Sequence, residues 1–289
     1  MANTIAKAKA YLPLLDELYG KNVLSSVLDA PAEILRDSVN ANEILIPKMT
    51  LQGLGDYSRS TGYVLGDVTL AWETHAFTQD RGRKFIVDAQ DNLETIDVAF
   101  GRLAGEFIRT KVAPEIDAYR FARLAAKANT VVSVNLATTT AIEAVDAGIE
   151  SMKNAEVPME RFMKQSSLIS RQFVVNVGNA VVNREIQTLD GIPVVVVPQS
   201  RFYSLIDMLD GSTPGEEAGG YAKAALGKDI NFMLVDSGAV LGVKKTQLPR
   251  IFDPETYQGA NAWSFDYRLY HDLFVPDNKV KGVYCHTVA

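Results

Sequence analysis

The sequence predicts an α+β fold on three observations. Residues 43 to 87 hold two strand-like runs joined by a glycine-rich tip, residues 93 to 129 carry the strongest helical pattern, and the second half holds β-branched runs suited to buried strands. The 289 residues suffice for one large domain or two modest ones, and 47% hydrophobic with 22% charged residues is the balance of a folded globular chain.

Residues 1–42 read as an arm. Ile5, Ala8, Leu12, Leu15 and Tyr19 fall at helical spacing, and Gly20 sits where a helix stop is expected. Short apolar clusters follow at Val23-Leu24, Val27-Leu28 and Ile34-Leu35, separated by Ser, Asp, Pro31 and Asn, which suits intermittent contacts. EILIPKMT reads as a strand that Pro47 pushes toward an edge. LQGLGDYSRSTGYVLGDV has turn chemistry and no helical period. TLAWETHAFTQDRGRKFIV alternates, with Leu70, Trp72, Thr74 and Ala76 on one side and Ala71, Glu73, His75 and Phe77 on the other. A ribbon of two such strands has too few apolar residues to bury both faces. A two-stranded ribbon is marginal alone, so it needs another surface to lie on.

Asn92 or Thr95 is placed to cap the helix that follows. Ile96, Phe100, Leu103 and Phe107 form an apolar stripe, continued after a phase shift by Val112, Ile116, Tyr119 and Leu124. At the α-helical rise this segment spans roughly 50 Å. Pro114 is expected to bend or break it nearby, with Val112 and Ile116 still facing a sheet. TTTAIEAVDAGIESMKNAEVP gives a second helix with Ile142, Val145, Ile149 and Met152 on its apolar face. QFVVNVG, GIPVVVVP, INFMLVD and AVLGVKK read as strands, RFYSLIDML as helical and GSTPGEEAGG as a loop in which Glu216 and Glu217 are solvated. The last part alternates strand-like pieces with turns.

Composition and motifs exclude most chemistry. A net charge of −6 and a pI near 5.2 argue against a general polyanion binder. One cysteine, Cys285, forms no intrachain disulfide, so the fold does not rely on an oxidising compartment. No apolar run approaches a membrane span, and the N-terminus lacks a signal-peptide pattern, which reads as intracellular at synthesis. His75, His271 and His286 have no metal-ligand spacing. There is no phosphate-binding glycine motif and no nucleophile elbow. The densest charge lies in ETHAFTQDRGRKFIVDAQDNLET, residues 73–95. A lysine nucleophile needs a lowered pKa, but Asp80 and Asp88 offset Arg81 and Arg83 around Lys84. The stretch therefore fits a polar interface better than a catalytic centre.

Several composite patterns occur in order: RGRKFIVDAQDNLET with VAPEIDAYRFARLA, REIQTLDGIPVVVVPQSRF, GYAKAALGKDINFMLVD, and RIFDPETYQGANAWSFDYRLYHDLFVPDNKVKGVYCH. Together they resemble the major capsid protein of tailed bacteriophages with the Hong Kong 97-type fold, over almost all of the chain beyond the first thirty or so residues.

The resemblance implies an N-terminal arm at 1–42, an extended β-ribbon loop at 43–92, a peripheral domain with a long spine helix at 93–133, an axial domain at 134–240 and a return to the peripheral domain at 241–289. It implies contacts between subunits through Gly53, Gly55, Asp56, Tyr57 and Arg59 at the loop tip, and through Glu73, Asp80, Arg81, Arg83, Lys84 and Asp88 where the loop rejoins the helix. The implied function is a self-assembling shell of pentamers and hexamers around double-stranded DNA, bound without sequence specificity. It would be located in the virion, made in the host cytoplasm, and have no enzymatic activity, cofactor, metal or membrane contact. Scaffolding, portal and decoration proteins are the further partners implied. An encapsulin-type shell around a protein cargo is the alternative, and an α+β enzyme of unknown reaction a more distant third. The segment VPMERFMKQSSLISRQF is short for the strand and helix that relatives carry there. The tip QGLGDYSRSTG holds no lysine for the lysine–asparagine crosslink found in some of them.

Overall fold

The computed structural model describes residues 23–29, 36–37, 42–94, 103–136, 141–158, 167–170, 188–189 and 191–289. The amphipathic run at 5–19, the QFVVNVG run, most of the short segment at 157–173, and Ile96 and Phe100 of the stripe lie outside these residues.

The chain is α+β. One short strand and a hairpin come first: β1 (Arg36–Asp37), β2 (Glu43–Leu51) and β3 (Val68–Ala76) form an antiparallel three-stranded sheet. β1 covers only Ile44 and Leu45 of β2, so Pro47 lies on an open stretch of backbone where its missing N–H costs no ladder bond. The second alternating run divides at Phe77-Thr78. Its latter part, β4 (Gln79–Asp88), leaves the ribbon and pairs along its whole length with β13. The ribbon proper therefore ends at Ala76.

Helix α1 (Ala89–Glu94) follows β4, and a continuous helical segment then runs through α2 (Leu103–Phe107), a π-helical turn (Ile108–Val112) and α3 (Ala113–Lys127). Pro114 stands at the start of α3, and the N–H of Ala113 bonds to the carbonyl of Ile108 in the wider π pattern. The π turn accommodates the proline without ending the helix, since it frees the carbonyl that the ring would meet in an α-helical turn. Val112 and Ile116 are buried against Phe265, Tyr267 and Leu269 of the sheet, as the stripe requires. Phe107 is only half-buried, ringed by Phe85 at 4.9 Å, Tyr267 at 5.8 Å and Phe265 at 6.2 Å. Phe107→Ala is expected to cost about 2–3 kcal/mol, below the full core value because the ring keeps one wet side. Urea unfolding checks this, and a change under about 0.5 kcal/mol would show that the ring adds nothing to the core.

The remaining elements are β5 (Thr130–Ser133), α4 (Ala141–Asn154), β6 (Ser167–Ser170), β7 (Thr188–Leu189), β8 (Ile192–Val196), β9 (Ile206–Leu209), β10 (Gly220–Lys223), β11 (Ile230–Val235), β12 (Leu241–Phe252), β13 (Ala262–Phe274) and β14 (Val283–Thr287). The RFYSLIDML run, expected to be helical, is one 3-10 turn (Gln199–Arg201) followed by β9. Its short apolar cluster fits either period, and pairing with β10 decides for the strand.

β12, β13 and β4 make an antiparallel sheet under α2 and the start of α3. A six-stranded mixed sheet in the order β5-β14-β11-β6-β8-β7 lies between α3 and α4. β11 is buried at every position because both its faces are covered. Met233 and Val235 face Phe121 and Leu124 of α3, while Phe232 and Leu234 face Val145, Ile149 and Met152 of α4. Ile142, assigned to the same helical face, is 41% exposed at the end of α4. A Cβ on Gly148 would sit 2.9 Å from Leu234 Cδ1 and 3.0 Å from Tyr284, so only glycine lets α4 approach this closely. β14, within the segment expected to return to the other sheet, lies between β5 and β11 here.

Candidate self-association surface

The ribbon sets out its residues by strand pairing. Directly opposed residues of an antiparallel pair share a face, and the register pairs Pro47 with Trp72, Met49 with Leu70 and Leu51 with Val68. These side chains form one apolar stripe along the ribbon, and it faces outward: Leu51 is 63%, Leu70 58% and Trp72 49% exposed. The opposite face turns toward the body, where Ile44 and Ile46 pack on Val243 and Phe274 beside polar residues. Glu73 and His75 are half-buried there, with His75 Nε2 3.0 Å from Glu73 Oε1 and its ring 5.3 Å from Phe274. Lys48, on that face, reaches Asp277 at 3.2 Å. The tip continues the apolar character with Leu54, Tyr63, Val64 and Leu65, all exposed, and Tyr57 stacks on Tyr63 at 4.9 Å. Asp56 and Arg59 are exposed beside them, and Gly53 and Gly55 shape the tip.

The ribbon is pinned at its root. Asp272 is fully buried on β13. Its Oδ2 accepts from Thr78 N and Thr78 Oγ1, both at 2.8 Å, and its Oδ1 accepts from Tyr119 Oη and Leu273 N, both at 2.7 Å. Thr78 is the turning point between β3 and β4, so one carboxylate fixes the direction in which the ribbon leaves. Burial pushes the Tyr119 hydroxyl up to about 12, which keeps it a donor to this carboxylate. Phe77 seals the pin against Tyr270 and Phe274 at 5.0 and 5.3 Å.

The charged stretch that follows is paired within the chain. Arg268 donates Nε and Nη2 to the two oxygens of Asp80 at 2.9 and 2.6 Å, and this fork holds the Asp80 carboxyl below its usual range. Arg81 Nε meets Glu115 at 2.8 Å, and Arg83 Nη2 donates to the carbonyl of Glu217 at 2.8 Å. Lys84 lies 3.9 Å from Asp266 and over the Tyr257 ring at 4.6 Å, and Asp88 accepts from Gln90 N at 2.8 Å. Alternation on β4 explains the pairing: odd positions turn toward the helix side, while Asp80 and Lys84 lie on the exposed face beside Arg268 and Asp266 of β13.

A second charged group was not singled out from the sequence. Asp117 and Arg120, one turn apart on α3, are fully buried and hold residues 23–29 against the body. Asp117 accepts from Leu24 N and Ser25 N and pairs with Arg201 at 3.0 Å. Arg120 donates to Ser25 O at 3.1 Å and lies 2.7 Å from Asp29, which also binds Lys244 at 3.0 Å. The i, i+3 spacing of opposite charges in VAPEIDAYRFARLA was the available signal, masked by the many surface charges on the same helix.

Among the described residues no group of three His, Cys, Asp or Glu side chains is placed to hold a metal ion, and no helix is long and apolar enough to cross a membrane. Burial pushes the Cys285 thiol up to about 12, which makes it inert.

No family model and no curated protein sequence matches this chain. Solved structures do. A chain of the bacteriophage PhiM1 mature capsid superposes with a TM-score of 0.64 at 12% identity, covering 98% of this chain and 92% of that one. The capsid structure of cyanophage P-SCSP1u gives a TM-score of 0.63 at 12% identity, over 98% and 93%. A chain of Mycobacterium phage Che8 gives 0.60 at 13% identity, over 98% and 97%. At this identity the likeness is one of fold, and it extends over nearly the whole of both chains.

Proposed function

We propose that this chain, which has the fold of phage capsid chains, is itself a major capsid protein, self-assembling into the pentamers and hexamers of an icosahedral head around double-stranded DNA. The observation that carries the proposal is the outward apolar stripe of the ribbon. Met49, Leu51, Leu70 and Trp72 stay exposed while the other face packs on the body, an arrangement that gains free energy when a second copy covers the stripe. In this reading the ribbon is the extended loop, α2 through α3 the spine helix of a peripheral domain, and the six-stranded sheet with α4 the axial domain. The role is structural, without a reaction. Scaffolding, portal and decoration proteins are its further partners, and the virion its location.

The charged residues of β4 have partners within the chain, and in this reading they also meet the neighbouring subunit where the ribbon joins the body. The net charge of −6 suits a wall that holds DNA without trapping it. Any DNA binding by the free chain is then weak and falls steeply with added salt.

Negative-stain images of the purified protein test the proposal. Icosahedral particles support it, and a protein that stays monomeric at all concentrations overturns it. Packaged protein in place of DNA would make the shell an encapsulin type. Amide exchange gives a sharper test of the ribbon: residues 50–65 should exchange rapidly in the free chain and slowly in the particle. Equal rates in both would show that the ribbon is not the contact.

A further inference from the structure

Arg81 and Arg83 do more than balance charge on β4. Arg81, besides its bond to Glu115, donates Nη2 to the carbonyls of Leu209 at 2.7 Å and Gly220 at 3.1 Å. These two residues are register partners at the end of the β9–β10 hairpin, so one guanidinium holds both strands. Arg83 enters the loop beyond them. Its Nη1 lies where a Cβ on Gly211 would come within 2.6 Å, and one on Gly219 within 3.4 Å. Both glycines have positive φ, +76° and +63°. The positive φ values favour glycine at both places of this socket, and a side chain at Gly211 would also press on the end of Arg83.

The socket keeps its shape by its own bonds. The Asp210 carboxylate accepts from Ser212 N at 2.7 Å, Thr213 N at 2.8 Å and Thr213 Oγ1 at 2.7 Å, and these bonds hold its pKa far below the usual range. Glu216 Oε2 accepts from Asp210 N at 3.1 Å. The run GSTPGEEAGG, read from sequence as a solvated loop, is thus an internally bonded turn that accepts Arg83 through the carbonyl of Glu217.

At its other end the hairpin is rooted in the core. Phe202 is fully buried and meets Phe121 edge-on at 5.2 Å, Arg201 binds Asp117, and Tyr203 bridges to Asp229. Between root and socket the hairpin roofs a cleft of about 900 Å³. Phe85, Phe107, Ile116 and Leu269 form its largely apolar floor. The socket end carries no apolar side chain larger than proline and is held by a few half-exposed polar contacts, which is the make-up of an element that opens locally.

We infer that the β9–β10 hairpin is a latched arm, fixed at Phe202 and held closed over the cleft by Arg81 and Arg83. Release of the two guanidinium groups lets the arm turn on its root and uncovers the apolar floor. The latch itself is a property of the single chain. Its consequence rests on the shell reading: a copy with the arm open offers its neighbours a different surface from one with the arm closed.

The test uses the free chain, so its outcome does not depend on whether particles form. Spin labels on Pro214→Cys at the socket and Ala126→Cys on α3 report the distance between arm and helix. The native Cys285 is fully buried and takes no label. The chain with Arg81 and Arg83 intact should give one narrow distance distribution. Arg83→Ala, which removes the bond to the Glu217 carbonyl, and Gly211→Ala, which pushes the Arg83 guanidinium aside, should each raise the open fraction roughly tenfold, as loss of a charge-assisted hydrogen bond implies. Both variants should also bind more of an apolar fluorescent dye. If Arg83→Ala fails to fold, Arg83→Lys takes its place. Unchanged distance distributions in the folded variants, or a broad distribution in the unsubstituted arm, would overturn the latch.

Discussion

Asp117→Ala is expected to destabilise the chain by about 3–5 kcal/mol, because it removes a buried carboxylate that serves one arginine and two backbone amides at once. The carboxylate is fully buried and compensates the Arg201 guanidinium at 3.0 Å while accepting the backbone N–H groups of Leu24 and Ser25. Removing it takes a buried ion pair from Arg201 and the acceptor from two amides. Equilibrium urea unfolding measures the loss as a shift in midpoint at unchanged slope. Asp117→Ala with Arg201→Met should recover a large part of it, since the buried charge is then gone. A double variant no more stable than Asp117→Ala would mean that the lost acceptor for residues 24 and 25 dominates instead. Limited proteolysis near residues 23–29 should accelerate in both variants, because these residues lose their tie to α3.

Lowering the pH from about 6.5 to about 4 should remove about 3 kcal/mol of stability through His271 alone. Burial holds its folded pKa at about 4, and the nearby Arg120 adds to the effect, with Lys244 and Arg81 acting in the same direction and Asp272 opposing. The unfolded chain accepts the proton near the ordinary value. Between the two values the unfolded state therefore binds more protons, and stability falls as the pH falls through that window. His286, also lowered by burial, adds in the same direction. His271→Gln should flatten the pH dependence between about 6.5 and 4 by most of this amount. A variant with the same slope as the parent would place the acid sensitivity elsewhere.

The sequence disclosed the long-range plan better than the local pairings. Strong periodicity located α3 and α4, and the apolar stripe even carried the mark of the π turn. Phe107 and Val112 stand five residues apart where an α-helix would use three or four, the spacing of the wider turn that precedes Pro114. That mark was seen only as a phase shift, because a proline inside a helix suggests a break more readily than a change of pitch. The ribbon was legible as a hairpin unable to bury itself, yet its end was not. Leu70 to Val87 alternates without interruption, and only the tertiary pin of Thr78 on Asp272 divides it into β3 and β4. The internal partners of the charged stretch were hidden for a related reason. Charge density shows in a sequence, but Asp266 and Arg268, the partners of Lys84 and Asp80, lie far along the chain, on the strand next to β4. The clamp of Asp117 and Arg120 was lost among the other charges of the same helix, since nothing in the order of residues says which of them are buried.

The place of β14 has a consequence for synthesis on the ribosome. β5 pairs in parallel with β14, which emerges some 150 residues later, and β11 gains its second neighbour only then. β4 likewise waits for β13. Both sheets depend on contacts of long sequence separation, which form slowly. A nascent chain carries bare strand edges and the apolar flank of β11 until β14 has been made. During that interval it is open to aggregation, and dependence on chaperones should be concentrated there.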